Sequence, residues 1–461
     1  MTDLQGKGMV LAIPTALVAL ATFIVVIIAW NVVFKRNMGE AMGLGMLVTA
    51  AFGGSDAPAH LLAGLEGALD HEVLFAALAF VFMAFLIDET GLIGKIIAIL
   101  NSAFGRIRGG PAYVATAASA IFGALSGSNS ANTATGGSFT GPWMVRTGWT
   151  PARAATVLAG NGGLGAALPP SASMLIMIGF AGDLATTGQV YLALLTAGAY
   201  QVLHRIIMVR YFVSVDKIAH VSSDMVFPPL RETFKAGAGA VSIFLGAIIP
   251  IVVTIGPLAD YLGRAPGMEE ALGSISILIW IPVMITLLAL IAGRQNLPRS
   301  ASGWADMLGR SLPRFATIGA LLYFAIAASE ILGNLGLAED VQMVTQAVPF
   351  SALGMLVAVG LLIVIVAGPL SSTATLTAVG QISMLALIGV GVDPLAALTA
   401  ILVFASTEGA SPPASGSIFI AAGLTGAKPE ATFIPLIVYY VLPIFAIACL
   451  IGIGILPLWR G

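Results

Sequence analysis

The chain has 461 residues, of which 58% are hydrophobic and 9% charged, with a net charge of −2. A soluble globular domain carries roughly 25% charged residues, so the composition excludes one and describes an all-α polytopic membrane protein, with no basic cluster for nucleic acid. The single cysteine, Cys449 in an apolar run, excludes an internal disulfide and a cysteine-built metal site.

Loops rich in Lys and Arg mark the cytoplasmic side, and they order the elements. The first apolar run, Met9 to Phe34, is too long for a signal-peptide core and is expected to be a retained span. Lys35 and Arg36 close it, which puts the N-terminus outside. A second span (Gly39 to Gly54) leads to acidic residues Asp56, Glu66, Asp70 and Glu72, and a third, from Val73, returns toward Lys95, Arg106 and Arg108. Next comes "GALSGSNSANTATGG" (Gly123 to Gly137), bounded beyond by Arg146 and Arg153. With basic residues at both ends and a Gly/Ser/Asn-rich middle, the segment 112–146 is expected to be a re-entrant hairpin based inside.

A broken helix (151–180) then crosses outward, and Val190 to Arg210 crosses inward. The polar linker "VSVDKIAHVSSDMVFPPLRETFK" follows, then an outward and inward pair, Ala238 to Pro257 and Leu272 to Ala292. Beyond Arg294, Arg299, Arg310 and Arg314 the chain crosses outward from Phe315. The stretch from Glu339 to Asp393 has no Lys or Arg and holds "AGPLSSTATLTAVG" (Ala367 to Gly380), a second hairpin (349–389) based outside. A second broken helix (394–424) returns to Lys428, and a last span ends near Trp459, placing the C-terminus outside too. The expected organisation is N-terminal scaffold spans (1–72), a first repeat (73–214), a linker with scaffold spans (215–313) and a second repeat (314–461).

The halves match. Gly91-Leu92 corresponds to Gly336-Leu337 and Ser126 to Ser371, each 245 positions apart; Pro151 corresponds to Pro394 and Pro169-Pro170 to Pro412-Pro413, each 243 apart. Hairpins based on opposite sides make these inverted repeats, about ten spans plus two hairpins in all. Inverted repeats with discontinuous helices are the pattern of secondary transporters that bind near the midplane.

Irregular backbone at membrane depth needs protein or a water-filled cavity around it. Each half supplies a hairpin tip and a helix break, "NGGLGAALPPSAS" (Asn161 to Ser173) and "STEGASPPASG" (Ser406 to Gly416). Proline frees carbonyls, which with hydroxyl and amide oxygens suit Na⁺, while half-helix N-termini suit an anion. Candidate substrate-binding residues are Ser128, Asn129, Ser130, Asn132, Ser171, Ser372, Thr373 and Ser415. Candidates for cation coupling are Ser126, Gly127, Asn161, Gly163, Pro169, Ser371, Ser406, Thr407, Glu408, Gly409 and Pro412, with no transition metal and no cofactor. Close helix packing is the competing explanation for small residues, and four breaks at matching positions weigh against it. For single hydroxyls such as Thr135 or Thr377 the competitor is a bond to the preceding turn.

Glu408 is the one ionisable residue in either break, and its first-half counterpart is Gly165. An intramembrane carboxylate is a functional hypothesis by default: a proton carrier, a permanent cation ligand, or a carboxylate at a water-filled edge held by backbone amides. His60, His71, His204 and His220 have no metal-ligand spacing, and no arginine lies inside a tip or break. A substrate carboxylate then meets dipoles and hydroxyls, unless residues elsewhere reach in.

"GRIRGGPAYVATAASAIFGALSGSNSA", followed by "GPWMVRTGWTPARAATVLAGNGGLGAALPPS", resembles the large membrane subunit of TRAP (tripartite ATP-independent periplasmic) transporters. "GVDPLAALTAILVFASTEGASPPASGSIFIAAG" is similar to the same family, especially its TAXI branch. The resemblance implies an elevator-type fold of the ion-transporter superfamily in a bacterial or archaeal cytoplasmic membrane, importing organic anions, usually carboxylates, with a coupled cation. It implies two partners, a small four-helix membrane subunit and an extracytoplasmic substrate-binding protein. It also implies cation sites around Ser126, Ser128 and Asn129, around Gly163 and Pro169, and at the matching second-half elements. Glu408 stands where the family more often has a small or hydroxyl residue, so H⁺ stands beside Na⁺ as coupling ion. The alternatives are an independent proton-coupled symporter without a binding protein and a passive channel; an intramembrane enzyme lacks a nucleophile–base pair.

Overall fold

The computed structural model describes residues 14–219, 227–347, 350–368, 370–413 and 415–460. His220 and Pro369 lie outside them. The protein is 82% helical, with no strand among the described residues. Six helical segments are long and apolar enough to cross a bilayer, and a pair bent by 51° (Gly54–Asp70 and Glu72–Glu89) makes a seventh. The remaining apolar helices are shorter, among them both first arms of the expected hairpins and the second broken helix.

One group of helices forms a frame. α1 (Thr15–Ile28) packs on α2 (Met38–Ala51), and α3 (Ala57–Asp70) runs through the acidic stretch, followed by α4 (Glu72–Glu89) and α5 (Leu92–Phe104). α6 (Gly110–Ser126) and α7 (Asn129–Arg146) pair across a two-residue turn, the first hairpin. The first broken helix is α8 (Pro151–Gly162), α9 (Leu164–Ala167) and α10 (Ala172–Ala181), and the long α11 (Thr187–Val215) follows. After the linker come α12 (Leu230–Val241), α13 (Leu245–Thr254), α14 (Pro257–Gly263), α15 (Met268–Gly273), α16 (Ile277–Gly293) and α17 (Ala301–Asn334). α17 is the spine of the frame, in contact with α2, α3 and α4, while α4 also packs on α16 and α5 on α12. Arg310–Glu89 (2.7 Å) and Arg314–Asp88 (3.4 Å) tie the end of α4 to α17.

The second half repeats the motif. α18 (Leu337–Ala347) precedes the second hairpin, α19 (Ala352–Ala367) and α20 (Ser372–Gly389). α21 (Pro394–Ser406), a short 3₁₀ turn (Thr407–Ala410) and α22 (Gly416–Thr425) form the second broken helix, before α23 (Phe433–Leu436) and α24 (Leu442–Gly452). The two halves interlock: α22 packs on α7 and α8, α10 on α20, and α11 on α21. The broken-helix arms α8 and α21 are buried along nearly their whole length. Val25, Ile291, Ile365 and Ile434 lie exposed on the outside, as side chains facing lipid do.

Capping residues fix where each element begins. Ser128 accepts from Ala131 N–H at the start of α7, and Ser371 accepts from Ala374 N–H at the start of α20. Thr150 and Asp393 cap α8 and α21 in the same way, each with proline at the first helical position. These caps correspond at one displacement of 243 positions, so the structural counterpart of Ser371 is Ser128, and not Ser126. The reason is local: α6 runs one turn further than a match of serines suggests, and Gly127, at φ +61°, makes the reversal. Both breaks contain a cis Pro–Pro bond, Pro169–Pro170 and Pro412–Pro413.

Candidate functional site

Each hairpin tip sits against the break of its own half. A methyl group added at Gly127 would stand 3.1 Å from Ala172 N, and one at Gly368 would stand 3.8 Å from Pro412 O. The tips also reach across: a methyl at Gly416 would meet Ser130 Oγ at 2.7 Å. The two breaks meet backbone to backbone, since a methyl at Gly409 would lie 2.6 Å from Gly163 N. Only glycine allows that approach, because any side chain would need the backbone to move.

Between the tips lies a cavity of about 220 Å³. Its polar side is Gly127, Ser128, Asn129 and Ser130 from the first tip, Ser371, Ser372 and Thr373 from the second, and Glu408. The opposite wall is apolar and belongs to the frame: Ala77, Phe80 and Val81 of α4, and Ile318, Leu321 and Leu322 of α17. This is below the ~300–1,000 Å³ of drug-sized pockets and suits a small ligand. The N-termini of α7 and α20 border it, so unpaired amides and the positive ends of two helix dipoles are available to an anion. A second cavity of about 530 Å³ shares Val81, Leu125, Ser128 and Ile318 with the first and extends to Asp88 and Arg314.

Glu408 is 5% exposed, and both its oxygens are occupied. Oε2 accepts from Asn129 Nδ2 at 2.6 Å, and Oε1 accepts from Ser415 Oγ at 3.3 Å. Asn129 in turn accepts from Ala166 N–H through Oδ1 at 2.9 Å. One amide therefore joins the first tip, the first break and the carboxylate of the second break. The first-half equivalent, Gly165, has no room for a side chain: a methyl there would lie 2.5 Å from the Ser128 carbonyl. The asymmetry between the halves is steric.

Other candidates lie behind the cavity wall. Ser171 donates to Ala166 O (3.2 Å) and caps α10, and Ser415 donates to Glu408 Oε1. Asn132 donates to the Asn161 and Gly162 carbonyls (3.5 and 3.3 Å), and Asn161 donates to Thr116 Oγ1 at 3.1 Å. Thr407 donates to Phe404 O one turn back, and Ser406 donates to Val403 O and reaches Gln201 Oε1. Pro169 and Pro412 stand within the breaks, and the Ser126 side chain is outside what the structure describes. Among the described residues no cluster of His, Cys, Asp and Glu could hold a metal ion.

α11, expected as the inward span Val190 to Arg210, also carries a buried charge that was not among the candidate residues. Arg205, 0% exposed, donates through Nε to Gly160 O at 3.2 Å, and through Nη1 to Gln201 O and Oε1 at 3.0 and 3.3 Å. The signal was available: an arginine four residues after a glutamine within an apolar span is expensive in lipid and unusual. It was masked because Arg210 made the whole basic stretch resemble the end of a span.

Comparison with known proteins agrees with this architecture. Residues 8–459 match the family described as "Tripartite ATP-independent periplasmic transporter, DctM component". The C4-dicarboxylate TRAP transporter large permease protein DctM of Pseudomonas aeruginosa is 26% identical over 292 residues, covering 59% of this chain and 68% of that protein. Two solved transporters share the fold at 14% identity: YdaH of Alcanivorax borkumensis (TM-score 0.61, covering 87% of this chain and 88% of that one) and MtrF of Neisseria gonorrhoeae (TM-score 0.58, 88% and 86%). A family match over nearly the full length, on a helical fold with paired hairpins and broken helices, makes this chain a member of the DctM family, the large permease component of TRAP transporters.

Proposed function

We propose that the chain imports a small organic anion, a carboxylate, held between the two hairpin tips and driven by a coupled cation. The observation that carries this is the cavity itself: two helix N-termini and a row of hydroxyls on one side, an apolar wall on the other. The C4-dicarboxylate named for the Pseudomonas aeruginosa relative has the matching chemistry. An anion beside an ionised Glu408 would be repelled, so the carboxylate favours H⁺ as the partner ion: a proton on Glu408 removes the repulsion.

The division of labour supports an elevator movement. Every polar residue lining the first cavity belongs to the hairpins and breaks, and the frame lines it with apolar side chains of α4 and α17, so at this cavity the first group can slide past the second without breaking polar contacts. A small four-helix membrane subunit and an extracytoplasmic substrate-binding protein are the partners of this reading. Both termini lie on the outer face of the cytoplasmic membrane. Uptake into proteoliposomes, with a panel of carboxylates and with Na⁺ and H⁺ gradients imposed separately, tests the proposal. Concentrative uptake of a carboxylate under one gradient is the expected result; downhill flux alone, indifferent to both gradients, refutes it.

A further inference from the structure

We infer that the Arg205 guanidinium is a tethered substitute for a coupling cation, fixed where the two broken helices cross. α8 ends at Gly162 and α21 at Ser406, and a carbonyl from the last turn of each lies at this crossing: Gly160 O accepts from Arg205, and Ser406 O is 2.4 Å from where a methyl on Gly163 would stand. Helix C-termini carry partial negative charge, and in secondary transporters half-helix C-terminal ends and unwound carbonyls hold the coupling ion. Here that place is filled from α11. Arg205 takes Gly160 O of the first broken helix through Nε, and Gln201 Oε1, its Nη1 partner, accepts from Ser406 Oγ of the second at 3.0 Å. A methyl added at Gly163 would stand 2.4 Å from Ser406 O and 3.1 Å from Arg205 Nη2, so break, carbonyl and guanidinium meet at one point.

Among the described residues no carboxylate pairs with this charge. The ion pairs among the described residues join Arg153 to Asp216, Arg310 to Glu89, Arg314 to Asp88 and Arg460 to Asp393. Arg205 is fully buried and answered by carbonyl oxygens, the donor set that a Na⁺ ion would take, and its Nη2 has no hydrogen-bond partner among the described residues. A buried cation without such compensation would be strongly unfavourable. The positive charge therefore travels permanently with the carried unit, and this crossing takes up no Na⁺ of its own. The inference rests on the reading of the chain as a cation-coupled carrier.

The test is thermal unfolding of the purified full chain in NaCl and in choline chloride at equal ionic strength, a measurement that needs no transport. A chain that carries no anion yet behaves as described leaves the inference standing. Removing the guanidinium in Arg205→Met and Arg205→Ala should lower Tm in choline and create a saturable recovery of a few degrees in Na⁺. Arg205→Lys, which keeps the charge, should show no larger Na⁺ response than the unmodified protein. The inference is overturned if the methionine and alanine variants gain no more from Na⁺ than the unmodified chain. It is equally overturned if they stay unfolded in both salts.

Discussion

Replacing Glu408 by glutamine isolates the carboxylate charge with little change of shape. Glutamine can present its oxygen to Asn129 Nδ2 and its amide to Ser415 Oγ, the arrangement of a protonated glutamate, so both contacts survive. A substrate carboxylate held in the cavity as proposed would stand on the order of 6 Å from the Glu408 carboxylate, and at an effective dielectric of about 20 their repulsion would be about 3 kcal/mol, about a hundredfold in affinity. On the proposed mechanism the anion binds with a proton on Glu408, so in the unmodified protein its affinity should fall by up to about tenfold per pH unit as pH rises through the titration of that group. In Glu408→Gln the affinity should be flat with pH and, at alkaline pH, about a hundredfold tighter than in the unmodified protein. The assay is carboxylate binding to the purified chain across pH, together with counterflow and H⁺-driven uptake in proteoliposomes. Glu408→Gln should retain counterflow and lose accumulation driven by a proton gradient. The reasoning is refuted if both proteins show the same pH slope and the same H⁺-driven accumulation.

Asn129→Asp sets a second carboxylate 2.6 Å from the first. The two must share a proton, so this variant should unfold more easily above neutral pH and recover toward acid pH, read as Tm against pH. Gly165→Ala forces a methyl to 2.5 Å from the Ser128 carbonyl and should destabilise the chain by about 1–3 kcal/mol while abolishing uptake, measured by denaturation and flux. Val81→Trp fills the cavity from the frame side, where Val81 lines both cavities. Carboxylate binding should disappear with Tm unchanged within about 2 °C.

Much of the fold was legible because membrane spans are written in long apolar runs and because the halves repeat. Pro151 and Pro394 do open helices, and Thr150 and Asp393 cap them. The tips Gly127–Ser130 and Ser371–Thr373 do line one cavity with Glu408. The acidic stretch beyond Gly54 gave no sign that it holds a helix, since α3 owes its place to packing against α17, so close that a methyl added at Gly64 would lie 2.8 Å from Ala327 O. The pairing of Ser126 with Ser371 failed because residue identity does not report which serine caps a helix; the N-cap geometry does. Ser171 and Ser415 share the chemistry of the cavity hydroxyls, yet their hydrogen bonds turn them to the breaks and to Glu408.

By itself the sequence determined the class of the protein and the location of its irregular segments. Apolar composition forces helices in lipid, and Gly, Pro and hydroxyl residues in such runs mark where helices stop. Tertiary structure alone decided which partner each of those segments has. Glu408 meets Asn129 across 279 residues of chain, and Arg205 reaches the first break across 45. Such contacts arise from how helices cross, and no periodicity records them. The close approach of Gly163 and Gly409 belongs with them: it brings two distant breaks to one point, where the Arg205 guanidinium meets the ends of two helices.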